Sequence, residues 1–287
     1  MKSKVFFSRD ITPETALKLY EMLGVQLEGN VAIKVHSGEP GNQNFIRPDF
    51  WRPIIRYVDG TVVECNTAYE GGRDTTERHM QTMRKHGWDA FAMDILDAKG
   101  PDMELEIPNG IRIKKNFVGR DIACYDSALI LSHFKGHPAG GYGGALKQLS
   151  IGFASSYGKK YIHGVGAPEN FWESECNAFL EAMADSASSV VEFFKGKIAY
   201  VNVMKNMSVD CDCFAKPKDP CMADIGILVS DDPVAIDQAC LDLVYASDDP
   251  GKEQMIARIE SRNGVHTIEA AAQLGLGNRE YELIVVE

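Results

Sequence analysis

The sequence predicts an α/β fold of three layers around a mainly parallel sheet. Short apolar runs that read as strands alternate with stretches of helical periodicity through most of the chain. The connections between them are repeatedly rich in glycine and polar residues, as strand-to-helix loops are. One stretch, Glu104 to Val118, breaks the rhythm and predicts a small antiparallel hairpin excursion. No repeat, low-complexity tract or linker divides the chain, so a single domain over residues 1–287 is expected.

Lys4 to Ser8 reads as the first strand. Thr12-Pro13-Glu14 then combines a capping hydroxyl, a first-turn proline and an early acid, which predicts a helix running to Leu23 and stopping at Gly24. Val31 to His36 is the next strand, with Lys34 and His36 on one face because alternate side chains point the same way. A polar loop, Ser37 to Asn44, leads to a helix around Phe50 to Tyr57 that Pro53 would bend. Thr61 to Glu64 is a strand, and the loop Cys65 to Asp74 carries Asn66, Thr67, Tyr69 and Arg73, hydrogen-bonding groups of both kinds. Thr75 to His86 is a helix closed by Gly87.

Within Glu104 to Val118, Asn109-Gly110 sits between two short apolar runs, the sequence signal of a tight hairpin. It is expected to extend or flank the main sheet. Ser127 to Ser132 is a buried strand, Ala145 to Phe153 opens a helix, and Glu175 to Phe194 repeats apolar residues at core-facing helical spacing. Lys197 to Met204 and Ile225 to Val229 are strands separated by the loop Asn206 to Asp224. Asp231-Asp232-Pro233 starts a helix that carries Asp237 and Cys240; these aspartates fit either helix capping or a hard cation. Two helical segments and a strand from Tyr281 to Val286 complete the fold.

The chain carries 30 Lys and Arg against 41 Asp and Glu, a formal net charge of −11. That excess of negative charge argues against nonspecific binding of nucleic acid or an anionic membrane, both of which need clustered positive charge. Residues 1–8 lack the apolar core of a secretory signal and no stretch is long enough to span a bilayer, so a cytoplasmic protein is expected. Seven irregularly spaced cysteines suit free thiols or metal ligands better than a disulfide framework.

Chemistry concentrates in His133 to Lys147, where histidines, lysines and glycines crowd a strand-to-helix loop. Such a loop either merely turns the chain or seats an anion on backbone N–H groups at a helix N-terminus. The second reading places an anion near Gly143 and Gly144, within reach of Lys34, Lys135 or Lys147. His137 and Lys135 are the expected catalytic groups. Gly136 and Pro138 exclude a helical His-x-x-x-His pair, so any convergence of the histidines must come from the loop. Cys211 and Cys213, too close for an ordinary disulfide, either pack in their loop or bind iron or zinc with His133, His137 or His163, of which His133 and His163 are the expected ligands.

The run His133 to Lys147, continued by Gly152 to Lys160 and His163, resembles the signature of domain-of-unknown-function family 362, whose members are often labelled iron–sulfur centre proteins. Val31-Ala-Ile-Lys34, Asn66 to Tyr69 with Gly71-Gly-Arg73, Cys211-Asp-Cys213 and Asp224 to Asp237 add to the resemblance, which covers most of the chain. It implies a metal-related role. Many relatives insert a ferredoxin-like Cys-x-x-Cys-x-x-Cys segment after the position of His163, whereas this chain passes through Pro168, Trp172 and the lone Cys176, and Phe153 stands where a cysteine is common. The iron–sulfur cluster suggested by the family label therefore has no ligand motif here. Two functions remain open: an enzyme or redox protein with a metal centre acting on a small anion, or a module that binds an anion or metal without turnover.

Overall fold

The computed structural model describes residues 2–287. Its centre is an eight-stranded sheet in the order β12-β1-β11-β10-β7-β2-β3-β4. These strands are β1 (Ser3–Ser8), β2 (Val31–Lys34), β3 (Thr61–Glu64), β4 (Met93–Ile95), β7 (Ser127–His133), β10 (Ile198–Met204), β11 (Gly226–Ser230) and β12 (Tyr281–Val285). All neighbours pair in parallel except β11, which is antiparallel to both β1 and β10. The mainly parallel sheet read from the sequence is therefore present.

Strand residues alternate between two apolar layers, as a sheet covered on both faces requires. In β7, Ala128 and Ile130 face one core while Leu129 and Leu131 face the other. Helices α1 (Pro13–Leu23), α2 (Pro48–Val58) and α3 (Thr76–Lys85) supply Leu19, Trp51 and Met83 to the second core. The first core is closed by α4 (Ala145–Phe153), α6 (Cys176–Phe193), α7 (Pro233–Ala246), α8 (Lys252–Glu260) and α9 (His266–Gln273). A smaller cluster lies under α5 (Ser156–His163), with Ile162 packed near Phe179 and Leu180.

The capping signals act as their chemistry predicts. The Thr12 hydroxyl accepts from the Thr15 amide and Gly24 adopts the left-handed φ of 72° that ends α1. Thr75 caps α3 and Asp232 caps α7, settling Asp232 as a cap.

The small antiparallel excursion expected over Glu104 to Val118 is present, with a wider turn than Asn109-Gly110 predicts. β5 (Met103–Glu106) and β6 (Lys115–Val118) do pair antiparallel, but as a separate two-stranded sheet with residues 107–114 between them. The reason is Asp185 of α6, a fully buried carboxylate that accepts from the amides of Ile111, Arg112 and Ile113 at 2.6, 2.6 and 2.9 Å. Those N–H groups are therefore unavailable to a tight strand pair. Among the described residues no helix is long and apolar enough to cross a membrane.

Candidate functional site

From β2 the chain turns toward β3, and from β7 it turns the other way toward β10. The carboxyl ends of β2 and β7 thus flank the point where the connections diverge, the place where open α/β sheets leave a crevice. A cavity of about 290 Å³ lies there. Lys34 and His36 reach it from β2, Glu64, Cys65, Tyr69 and Arg73 from β3 and its loop, and His137 from the segment after β7. Lys147, Lys159 and His163 enter from α4 and α5, and Cys213 and Phe214 from the loop after β10.

The glycine-rich stretch is more ordered than a plain loop. Lys135–His137 (β8) and Gly141–Gly143 (β9) form a small antiparallel ladder before α4 begins. Gly136 donates to Ser208 O at 2.8 Å, and a Cβ at 136 would lie 2.5 Å from Val209 O. Only glycine allows that close approach, which brings His137 against the cysteine loop.

One ligand atom each from His137, Cys211 and Cys213 lies within 4.8 Å of the others. The Nδ1 of His137 accepts from the amides of Ala139 and Gly140 at 3.2 and 3.0 Å, which fixes the ring beside the two thiols. Burial, reinforced by Lys147, lowers the His137 pKa to about 4. Cys211 is the more acidic thiol: burial opposes ionisation, but bonds from Cys213 and His137 and the charge of Lys147 outweigh it and hold the thiol well below its ordinary range. The Cys213 amide also donates to Cys211 Sγ at 3.3 Å.

His133, expected among the metal ligands, is placed elsewhere. Its Nδ1 meets both Asp212 oxygens at 3.0 Å and its Nε2 meets Lys205 O, so both nitrogens are occupied. Lys135, expected to be catalytic, is buried with its Nζ 2.9 Å from Asp212 and 3.0 Å from His133 O. Burial pushes the Asp212 carboxyl up, yet His133 and Lys135 outweigh that and hold it well below the usual range. Together these three brace the cysteine loop from behind. His163 lines the cavity apart from the cluster, with Nδ1 2.7 Å from Lys159 O and its ring stacked on Phe179 at 4.5 Å. Burial brings its pKa down to about 3.

The anion seat expected at Gly143 and Gly144 is filled from within the protein. Asp237 accepts from the amides of Ala145 and Leu146 at 2.8 and 3.0 Å, so the N-terminus of α4 already holds a carboxylate. Lys34 is likewise engaged, 2.6 Å from Glu64 in a pair only 1% and 5% exposed. Glu64 also accepts from the Ser37 amide at 2.7 Å and lies 3.7 Å from Arg73, which is bound to Glu39 at 2.9 Å. Burial raises the Glu64 carboxyl, but Lys34, His79, His36 and Arg73 together hold it well below its ordinary range. Lys147 lines the cavity with no such carboxylate partner among the described residues.

Sequence reasoning passed over His36, Glu64, Lys159 and Asp212. The strand-end position of His36 and Glu64 was their available signal; nothing local marks a lysine on α5 as facing a cavity.

A family model described as a domain of unknown function, DUF362, matches residues 31–242. Among solved structures, the lactate racemase apoprotein from Thermoanaerobacterium thermosaccharolyticum is similar over 83% of this chain and 56% of its own, with 14% identity and a TM-score of 0.50. A protein from Thermotoga maritima is similar over 91% of this chain and 58% of its own, with 11% identity and a TM-score of 0.45. The chain spans a little over half the length of these two structures, and the first likeness is one of fold. No curated protein matches the chain in sequence.

Proposed function

The chain belongs to the DUF362 family, and on that premise we propose that its pocket is the active site of a metal-dependent enzyme acting on a small anionic molecule. The carrying observation is the meeting of His137, Cys211 and Cys213 within 4.8 Å on the wall of a cavity that Lys147 also lines. Two thiols and an imidazole form a soft donor set suited to zinc or iron. An iron–sulfur cluster has weaker support, since only two cysteines meet here. A bound ion would act as a Lewis acid on a substrate oxygen. The protein's own groups do the rest: Lys147 and Lys159, which line the cavity without a carboxylate partner among the described residues, attract the anion, and Asp212 with Lys135 and His133 holds the cysteine loop in place. The solved lactate racemase acts, by its name, on a small carboxylate, a substrate of the class proposed.

One observation favours a second reading. Because Nδ1 of His137 accepts two amide N–H groups, the neutral ring carries its proton on Nε2, in the same cluster as the Cys211 thiol. That arrangement suits a cysteine nucleophile oriented by histidine, with no metal. Metal analysis of protein purified without chelator or oxygen separates the two. Close to one zinc or iron per chain, falling sharply in Cys211→Ser and Cys213→Ser, supports the metal enzyme. Folded, metal-free protein whose Cys211 is selectively alkylated supports the nucleophile and sinks the metal reading.

A further inference from the structure

Resting on the reading of this cavity as a substrate site, we propose that it takes a monocarboxylate with a flat, aromatic body, Lys159 binding the carboxylate and Trp172 with Phe214 covering the ring.

The charges of the cavity leave Lys159 for this role. Lys34 is matched by Glu64, Arg73 by Glu39, and Lys135 by Asp212. Lys147 has no carboxylate partner among the described residues either, but its charge acts on His137 and Cys211, the proposed metal ligands. Lys159 is buried and lines the cavity, yet its Nζ donates only to Ala154 O at 2.6 Å and has no carboxylate within ion-pair distance among the described residues. An ammonium has three N–H donors, so two remain for a ligand. Asp97, whose charge favours the ammonium, already accepts from the amides of Asn66 and Ser156 at 2.8 and 2.9 Å. A buried ammonium without a counter-charge is costly, and an incoming carboxylate supplies one.

The same cavity has unused apolar surface. Trp172 is 72% and Phe214 41% exposed, and both line this cavity. Phe171 lies against Trp172 at 4.1 Å, which steadies the indole. Exposed aromatic rings and a buried ammonium lining one cavity match a ligand with one charged end and one flat apolar end. The cavity, about 290 Å³, is near the lower end of the roughly 300–1,000 Å³ that encloses small organic ligands.

The three tryptophans make the test direct, because Trp51 and Trp88 are buried and only Trp172 is open to a ligand. Phenylacetate is titrated into the full chain by fluorescence and calorimetry, beside acetate and the neutral phenylacetamide. Phenylacetate is expected to change Trp172 emission and to bind about tenfold or more tighter than either comparison compound, the scale of one charge-assisted contact against phenylacetamide and of the buried ring against acetate. Lys159→Met should remove the preference over phenylacetamide, and Trp172→Ala the preference over acetate. Equal affinity for phenylacetate and phenylacetamide in the wild-type protein overturns the proposal without relying on any variant's folding. Acetate binding as tightly as phenylacetate overturns it too. The Cys211→Ser, Cys213→Ser double variant separates this inference from the metal reading: phenylacetate binding that survives there supports the inference whatever the metal content. Metal-loaded wild-type protein that ignores phenylacetate overturns the inference alone.

Discussion

A Cβ on Gly144 would lie 2.4 Å from Oδ1 of Asp237, well inside contact distance. Gly144 immediately precedes α4 and Asp237 lies on α7, and their closeness lets a carboxylate of the protein occupy the helix N-terminus where a ligand anion was expected.

Gly144→Ala should therefore destabilise the protein by about 1–3 kcal/mol through overpacking against Asp237. Chemical denaturation measures this. An unchanged midpoint would show that the carboxylate can move aside and that the site is less tightly filled than described.

Asp237 should also make stability depend on pH. Burial raises its carboxyl to about 6, although the Ala145 and Leu146 amides and Asn202 resist the shift. Between about pH 4 and 6 the native state keeps a proton that the unfolded chain has released. This contribution is thus fully present at low pH and lost as pH rises, by up to about 3 kcal/mol. Asp237→Asn removes the ionisation, so wild-type stability relative to this variant should fall across that window. A flat difference would refute the shift.

Glu64→Gln leaves Lys34 buried without its counter-charge and should cost about 3–5 kcal/mol. Adding Lys34→Met removes the stranded ammonium, so the double variant should be clearly more stable than the sum of the singles predicts. Strict additivity in denaturation experiments would mean the two groups do not act as a pair.

Asp212→Asn tests the brace behind the cysteines. It weakens the hold on His133 and Lys135 without touching a thiol. Loss of such supporting contacts lowers metal affinity about 10- to 100-fold. Competition with a chelator reads this directly, and an unaltered affinity would mean the loop holds its shape without help.

Most of the scaffold was legible because its signals are local. Thr12, Pro13 and Gly24 bound a helix by backbone chemistry alone, and the buried strands announce themselves by apolar runs. The Asn109-Gly110 turn was misjudged because Asp185, far away in sequence, competes for its amides. The β8–β9 ladder was missed because its strands are three residues long and half glycine, too short to show alternation. The site was legible as a set of loops, while the choice among its histidines was not. His133 and His137 differ only in which partner the fold brings near: Asp212 for the first, Cys211 for the second.

The backbone bond from Gly136 to Ser208 ties the histidine segment to the cysteine loop, and each follows one of the adjacent central strands β7 and β10. A group held by both can be bound only by the native chain, since an unfolded one presents these residues far apart. Mass action then converts affinity at the cavity into resistance of the whole protein to unfolding, about 2.7 kcal/mol at a hundredfold excess over Kd. A rise in melting temperature, which needs no knowledge of the reaction, thereby becomes a way of screening compounds and ions for this pocket.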